Sequence, residues 1–202
     1  MVNAKDAVSI KLMGRYVRFL FTAIYFVFLS TTTAQTIDGE EESVLKEFQD
    51  TDQPAQRFQV FFNSLDRYNV NSAYDWLDTI KIYLANAEKT EDTIASRLYQ
   101  IMQAQVYNDL GEYDKSTVLA KELMDAKDSF DIAYQKVILD VLDNNYANLQ
   151  LYDKQIEIRE EKRELGITDN VAFYDIYSNL GLYREAWQQY AQEVKPTIAD
   201  ND

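Results

Sequence analysis

Asp109-Leu110-Gly111-Glu112-Tyr113-Asp114-Lys115-Ser116 returns 70 residues later as Asn179-Leu180-Gly181-Leu182-Tyr183-Arg184-Glu185-Ala186. Both stretches read polar-Leu-Gly-x-Tyr-x-x-small, and their separation is close to two periods of about 34 residues. A Gly between two apolar-periodic segments ends the first helix in the left-handed conformation that only glycine adopts cheaply. The Tyr and the small residue at fixed offsets then seat the next helix against the one before. The stretch predicts helix-turn-helix hairpins, with Gly111 and Gly181 at positive φ. An array of hairpins offers a surface for a partner more readily than a reaction centre.

The rest of the chain reads the same way. Thr90, followed by Glu91 and Asp92, is a favourable start for a helix to Leu110, with Ile94, Leu98, Met102 and Val106 as its stripe. Asp114 opens the next, with Val118, Leu119, Leu123 and Met124 inward. Ser129 can start a helix through Tyr146 whose segment from Val137 to Leu142 is apolar nearly all round, which places it in the middle of a stack. Leu151 to Leu165 follows, ended by Lys162, Arg163 and Gly166. Thr168 or Asp169 starts the helix to Leu180, and Tyr183 to about Val194 is the last. Upstream, Asn71 starts a helix carrying Trp76, Leu77, Ile80 and Leu84, and Asp52 caps one with Pro54 in its first turn and Phe58, Phe61 and Phe62 inward. Ser43 caps a short piece with Val44, Leu45 and Phe48. No run of period two occurs outside the N-terminal leader. The predicted fold is all-α, an antiparallel helix-hairpin array.

Residues 1–34 are expected to be a secretory signal peptide. Lys5, Lys11, Arg15 and Arg18 precede the apolar stretch Phe19 to Ser30, and the small residues Thr31 to Ala34 suit cleavage before Gln35. An uncleaved anchor is the alternative, and only then would the chain engage a membrane; the last third of the uncharged stretch is mostly Ser, Thr, Ala and Gln, poor material for a span. No Cys follows it, so a bacterial lipoprotein anchor is excluded. Residues 35–50 are expected to form a flexible acidic segment, 51–195 the helical repeat domain and 196–202 an acidic tail. Without the leader's four basic residues and one acidic residue, 168 residues remain with 16 basic against 33 acidic side chains, a net charge of −17. Such a surface repels phosphate backbones, so nucleic acid is a poor partner.

These residues resemble the tetratricopeptide repeat family. Gly111-Glu112-Tyr113-x-x-Ser116-x-x-x-Ala120 and Gly181-Leu182-Tyr183-x-x-Ala186-x-x-x-Tyr190 look like the turn and second helix of that repeat. Ala104 and Tyr107 match its small and aromatic positions upstream; Tyr177 matches the aromatic in the other copy, where Tyr174 replaces the small residue. A middle copy is placed on Leu151-Tyr152-Asp153-Lys154-Gln155-Ile156, but its tyrosine lies 39 residues after Tyr113 and 31 before Tyr183, so the phase slips, and Asp143 falls where a small residue belongs. The resemblance covers roughly Arg97 to Lys195 and implies a right-handed α-solenoid. A leader ahead of degenerate repeats is similar to exported repeat proteins of Bacteroidetes-type bacteria, and also to the periplasmic sensor portions of their membrane-bound regulators.

Reaction chemistry finds little footing. The chain has no His and no Cys, which removes the usual nucleophile–base pairs, His/Cys zinc sites and thiol chemistry. Gly111, Gly166 and Gly181 are explained as helix terminators, so no glycine cluster cradles phosphate, and neither Asp140 to Asn145 nor Asp200 to Asp202 has the spacing of a calcium loop. No enzymatic activity, cofactor or metal is expected. The densest charge run, Lys154 to Glu164, reads as a solvated helix face with internal pairs such as Glu160 with Arg163.

The resemblance instead implies a concave groove lined by the first helix of each repeat: Ile101, Gln105, Asn108 and Asp109; then Asp140, Asn144 and Asn148; then Val171, Asp175, Ser178 and Asn179. Its amides can bond a peptide backbone through donor and acceptor alike, and its aspartates favour a neutral or basic protein or peptide segment. The implied function is an exported, periplasmic or secreted adaptor that binds such a segment without catalysis. A periplasmic sensor portion of a regulator is the alternative, and a glycan-binding protein a third. Changing Asp109, Asp140 and Asp175 to Asn is expected to weaken binding and leave stability nearly untouched.

Overall fold

The computed structural model describes residues 39, 42–67, 70–126, 131–169 and 171–194. The leader over 1–34, the helix start at Ser129 and the tail over 196–202 lie outside the described residues. Every regular element among the described residues is helical. In chain order these are α1 (residues 42–50), α2 (Pro54–Asn63), a 3-10 turn (Leu65–Arg67), α3 (Val70–Lys89), α4 (Thr93–Asp109), α5 (Tyr113–Asp125), α6 (Ile132–Asn148), α7 (Tyr152–Glu164), α8 (Tyr174–Asn179), α9 (Tyr183–Gln189) and a π turn (Tyr190–Val194). From α3 to α7 each helix packs on its neighbour in sequence, and α8 packs on α9. Helix α4 also meets α2 and α6, so it is surrounded.

One turn design recurs. The Gly111 N–H donates to the Asn108 carbonyl at 2.9 Å and the Glu112 N–H to Tyr107 at 2.8 Å. Gly181 and Leu182 repeat this onto Ser178 and Tyr177, as do Gln150 and Leu151 onto Ala147 and Tyr146. Gly111 and Gly181 hold φ of +73° and +74° as expected, whereas Gln150 takes the same role at +57° with a side chain in place. Each turn satisfies two carbonyls that the helix end would otherwise leave unpaired.

Several boundaries differ from the sequence reading. Residues 42–50 are helical, with Val44 and Phe48 in the core, so the unpacked segment cannot extend to residue 50. Thr90 ends α3, its hydroxyl donating to the Asn86 and Ala87 carbonyls; Asp92 caps α4 by accepting the Ala95 N–H at 3.0 Å. Gln53, not Asp52, precedes α2, and Pro54 does sit in its first turn. Ile94 and Val118 are exposed rather than inward. Helix α8 begins at Tyr174 instead of Thr168 or Asp169, because the connector spends its polar groups elsewhere: the Ala172 carbonyl accepts from Arg159, and Phe173 lies under the Arg163 guanidinium at 4.2 Å.

A continuous apolar core runs from Val44 to Ile167. Its N-terminal end is aromatic: Phe48 and Phe61 each meet Trp76 at 5.1 Å near edge-to-face, an arrangement worth about 0.5–1.5 kcal/mol per pair beyond burial. Arg57 stacks on Tyr83 at 4.0 Å while donating to the Phe48 carbonyl and the Tyr99 hydroxyl. Phe173, Ile176 and Ala186 are buried outside that core, within the α8–α9 hairpin.

Candidate functional site

The residues expected to line a groove fall into three groups. Ile101 is fully buried and Asn108 nearly so, so neither faces a partner. The cause is the crowding of α4 by α2, α3, α5 and α6, which turns most of its faces inward. Val171 stands in the connector before α8, not on a helix, and so is out of register with Ile101 and Asp140. Gln105, Asp109, Asp140 and Asp175 are half-buried, and Gln105 donates to Asp109 at 2.9 Å along α4. Asn144, Asn148, Ser178 and Asn179 are exposed, with the Asn148 amide donating back to the Asn144 carbonyl. Asp109, Asn148 and Asn179 each stand two residues before a turn residue of the recurring type, so they share one place in the helix–turn design.

Asp140 and Asp175 are not open carboxylates. They belong to a network whose cations come from α6 and α7. Arg159 donates through Nε to Asp143 at 3.1 and 3.2 Å and through its outer nitrogens to Asp175. The Lys162 ammonium, fully buried, donates to Asp143 Oδ2 at 3.1 Å and stands 2.7 Å from Asp140 Oδ1 as an ion pair. Lys136 donates to Asp140 Oδ2 at 2.8 Å, with Asp169 at 3.7 Å beyond it. Asp140, Asp143 and Asp175 thus face Lys136, Arg159 and Lys162, a balance that offsets the cost of burying them.

Burial alone would push the Asp175 carboxyl up, but the hydrogen bonds and charge of Arg159 outweigh it and hold its pKa below the usual carboxylate value. The hydrogen bond to Asp140 raises the Lys136 ammonium. The expected uniform negative field is therefore cancelled at two of its three aspartates. Exchanging Asp140 and Asp175 for Asn would strip counter-charges from buried cations and would not spare the fold. The run from Lys154 to Glu164 is likewise not all solvated, since Gln155, Arg159 and Lys162 are buried. No local signal marks this, because the partners lie on α6 and α8.

Asn108 belongs to a second buried polar set. Its amide donates to Asn145 Oδ1 at 2.7 Å, Asn145 donates to the Ser116 hydroxyl at 2.8 Å, and Ser116 donates to the Ala104 carbonyl at 2.7 Å. The chain of bonds stitches α4, α5 and α6 where apolar side chains would otherwise meet. Asn145, wholly buried, has no counterpart in the sequence reading.

Two clefts remain. One of about 420 Å³ lies between α1 and α2 beside Glu47, Gln56, Gln59 and Asn63. Another of about 340 Å³ has Met124, Leu142, Tyr146 and Ile158 in its walls, with Lys121 and Glu157 at its rim. Neither gathers a nucleophile with a base, and among the described residues no three His, Cys, Asp or Glu side chains are grouped to hold a metal ion. Among the described residues, no helix is long and apolar enough to cross a membrane. No family model matches the chain, and no curated protein or solved structure matches it.

Proposed function

We propose that the chain is an exported, non-enzymatic adaptor of tetratricopeptide-like build, taking an extended peptide or protein segment on the side carried by α4, α6 and α8. The observation that carries this reading is positional: Asp109, Asn148 and Asn179 stand at one place before the turns that end α4, α6 and α8, three of the five turns among the described residues that share one hydrogen-bond pattern. Successive first helices then offer polar side chains at a repeating place, as an extended backbone with repeating N–H and C=O groups requires. The exposed amides of Asn144, Asn148 and Asn179 serve both kinds of group. With Asp140 and Asp175 neutralised, the ligand is a polar, neutral segment more than a basic one; the chain's overall negative charge still disfavours acidic ones.

The test is selection of peptides from a random displayed library on the full chain, followed by affinity measurement on Asn148→Ala and Asn144→Ala. Selected peptides should be poor in acidic residues, and each substitution should weaken binding about 5- to 10-fold, the scale of one lost hydrogen bond, without moving the thermal midpoint. Selection of no peptide, or of peptides indifferent to both substitutions, sinks the proposal.

A further inference from the structure

Positions that are covered in the two preceding hairpins lie open in α8–α9. Counting from the turn residues Gly111, Gln150 and Gly181, the tyrosine two places on is half-buried as Tyr113 and Tyr152 but 73% exposed as Tyr183. Six places on, Thr117 and Ile156 are half-buried, whereas Trp187 is 63% exposed. Seven places before the turn, Ala104 and Asp143 are buried and Tyr174 is exposed. One place before it, Leu110 and Leu149 are half-buried and Leu180 is exposed. For the α4–α5 hairpin the cover is a further helix, α6, which packs on both members. On α8–α9 the same face is more apolar than its predecessors and has no such helix among the described residues.

The open face is also preassembled. Tyr190 sits 5.8 Å from both Tyr174, at a steep angle, and Trp187, tilted by 32°. Rings that already restrain one another lose little freedom on binding. An outer repeat face normally carries polar residues for solubility, and here it carries Tyr, Leu and Trp.

We infer that this face seats a second copy of the chain, with two α8–α9 hairpins packed on each other about a two-fold axis. Two observations choose that occupant. Inside the molecule the corresponding hairpin face is covered by a helix, so a helix of a second copy is a surface of the kind this face already packs against. The patch is also nearly free of charge: Tyr174, Leu180, Leu182, Tyr183 and Trp187 are neutral, and Arg184 is paired with Glu185 at 3.3 Å. In a chain of net charge −14, self-association through most of the surface brings like charges together. This face avoids that penalty, and an isologous contact uses one patch twice. The contact does not rest on the proposed peptide binding, although both use α8.

The chain carries its own reporter. Of its two tryptophans, Trp76 is 1% exposed and Trp187 is open to water. The experiment is sedimentation equilibrium of the full chain over a range of about 1–200 µM, with emission spectra across the same range, for wild type, Tyr183→Glu and Trp187→Glu. Wild type should dimerise with a Kd of roughly micromolar order, as a modest two-helix contact allows. Its emission should shift to the blue as dimer forms. Each substitution should raise Kd at least tenfold by placing a carboxylate in the contact, while helical circular dichroism stays unchanged, because both positions are exposed in one copy. A wild-type chain that stays monomeric throughout overturns the inference. So does a dimer whose Kd ignores both substitutions, or growth beyond dimer, which would mean head-to-tail stacking.

Discussion

Arg159 and Asp175 meet fork to fork, Nη1 lying 2.5 Å from Oδ1 and Nη2 2.8 Å from Oδ2. The same guanidinium holds Asp143 through Nε and takes the Ala172 carbonyl. One side chain of α7 therefore ties together α6, the connector and α8. The apolar core stops at Ile167, so this tie joins the burial of Ile176 and the stacking of Arg163 on Phe173 in holding the α8–α9 hairpin to the body. A bidentate geometry suits arginine specifically, since lysine offers no planar pair of donors.

Arg159→Met keeps the stem and removes the charge. It leaves Asp143 buried with one cation fewer, and the cost should be about 3–5 kcal/mol, the range for breaking one side of a buried pair. Asp175→Asn should cost far less, about 1 kcal/mol, because the Asp175 side chain is 43% exposed and water screens what it loses. Urea denaturation midpoints check both, and equal losses would mean that Asp175, not Asp143, is the partner that matters.

The Asp175 carboxyl also fixes the direction of a pH effect. Its pKa is lowered in the folded chain, so its contribution is complete above the unfolded value of about 3.9 and is lost as pH falls through the lower, folded value. Wild type should exceed Asp175→Asn in stability by a constant margin above about pH 5, and the margin should close below about pH 4. Denaturation of both proteins across that window is the measurement. A margin unchanged at low pH would show that the carboxylate's charge is not what Arg159 uses.

How far the sequence was legible depends on which residues carry their structural role in their own chemistry. Gly111 and Gly181 do, since glycine between two apolar periods has few other reasons to be there, and their turns formed as expected. Gln150 does not. A glutamine at φ +57° leaves no compositional trace, so the middle copy is placed on Leu151 to Ile156 without a turn glycine to fix it. Arg159 and Lys162 carry no sign of burial in the sequence, because their partners Asp140, Asp143 and Asp175 lie on other helices and no pattern within α7 records them. Ile101 and Asn108 were misplaced for a related reason: register alone says which face of α4 they occupy, not that four helices crowd it.

The turns invite opposite substitutions. An added Cβ at Gly111 or Gly181 meets no atom within 4 Å, so Gly→Val there acts through backbone strain alone, about 1–2 kcal/mol. Gln150→Gly and Glu91→Gly relieve the same strain, since both residues sit at φ +57°, and each should gain about 0.5–1 kcal/mol after the added freedom of glycine in the unfolded chain. Thermal midpoints should fall for the first pair and rise for the second. Movement in one direction for all four would mean that side-chain contacts, rather than φ, decide these positions.

The buried amides make the sharpest claim about coupling. Asn145 is wholly buried, accepts from Asn108 at 2.7 Å and donates to Ser116 at 2.8 Å, so it joins the two side chains on either side of it. Asn145→Ala strands the Asn108 amide inside the helix contacts and leaves a small void, for a loss of about 2–4 kcal/mol. Ser116→Ala removes one acceptor and should cost about 1–2 kcal/mol. The double variant should lose clearly less than the sum, because once Asn145 is gone Ser116 has nothing left to accept from it. Replacing Asn108 and Asn145 with Leu together with Ser116→Ala removes the unmet groups and fills the space, so stability should recover toward wild type. Denaturation of the two singles, the double and the triple decides the matter. Simple additivity, or a triple variant weaker than either single, would show that these side chains act as separate contacts and that α4, α5 and α6 are held together by packing alone.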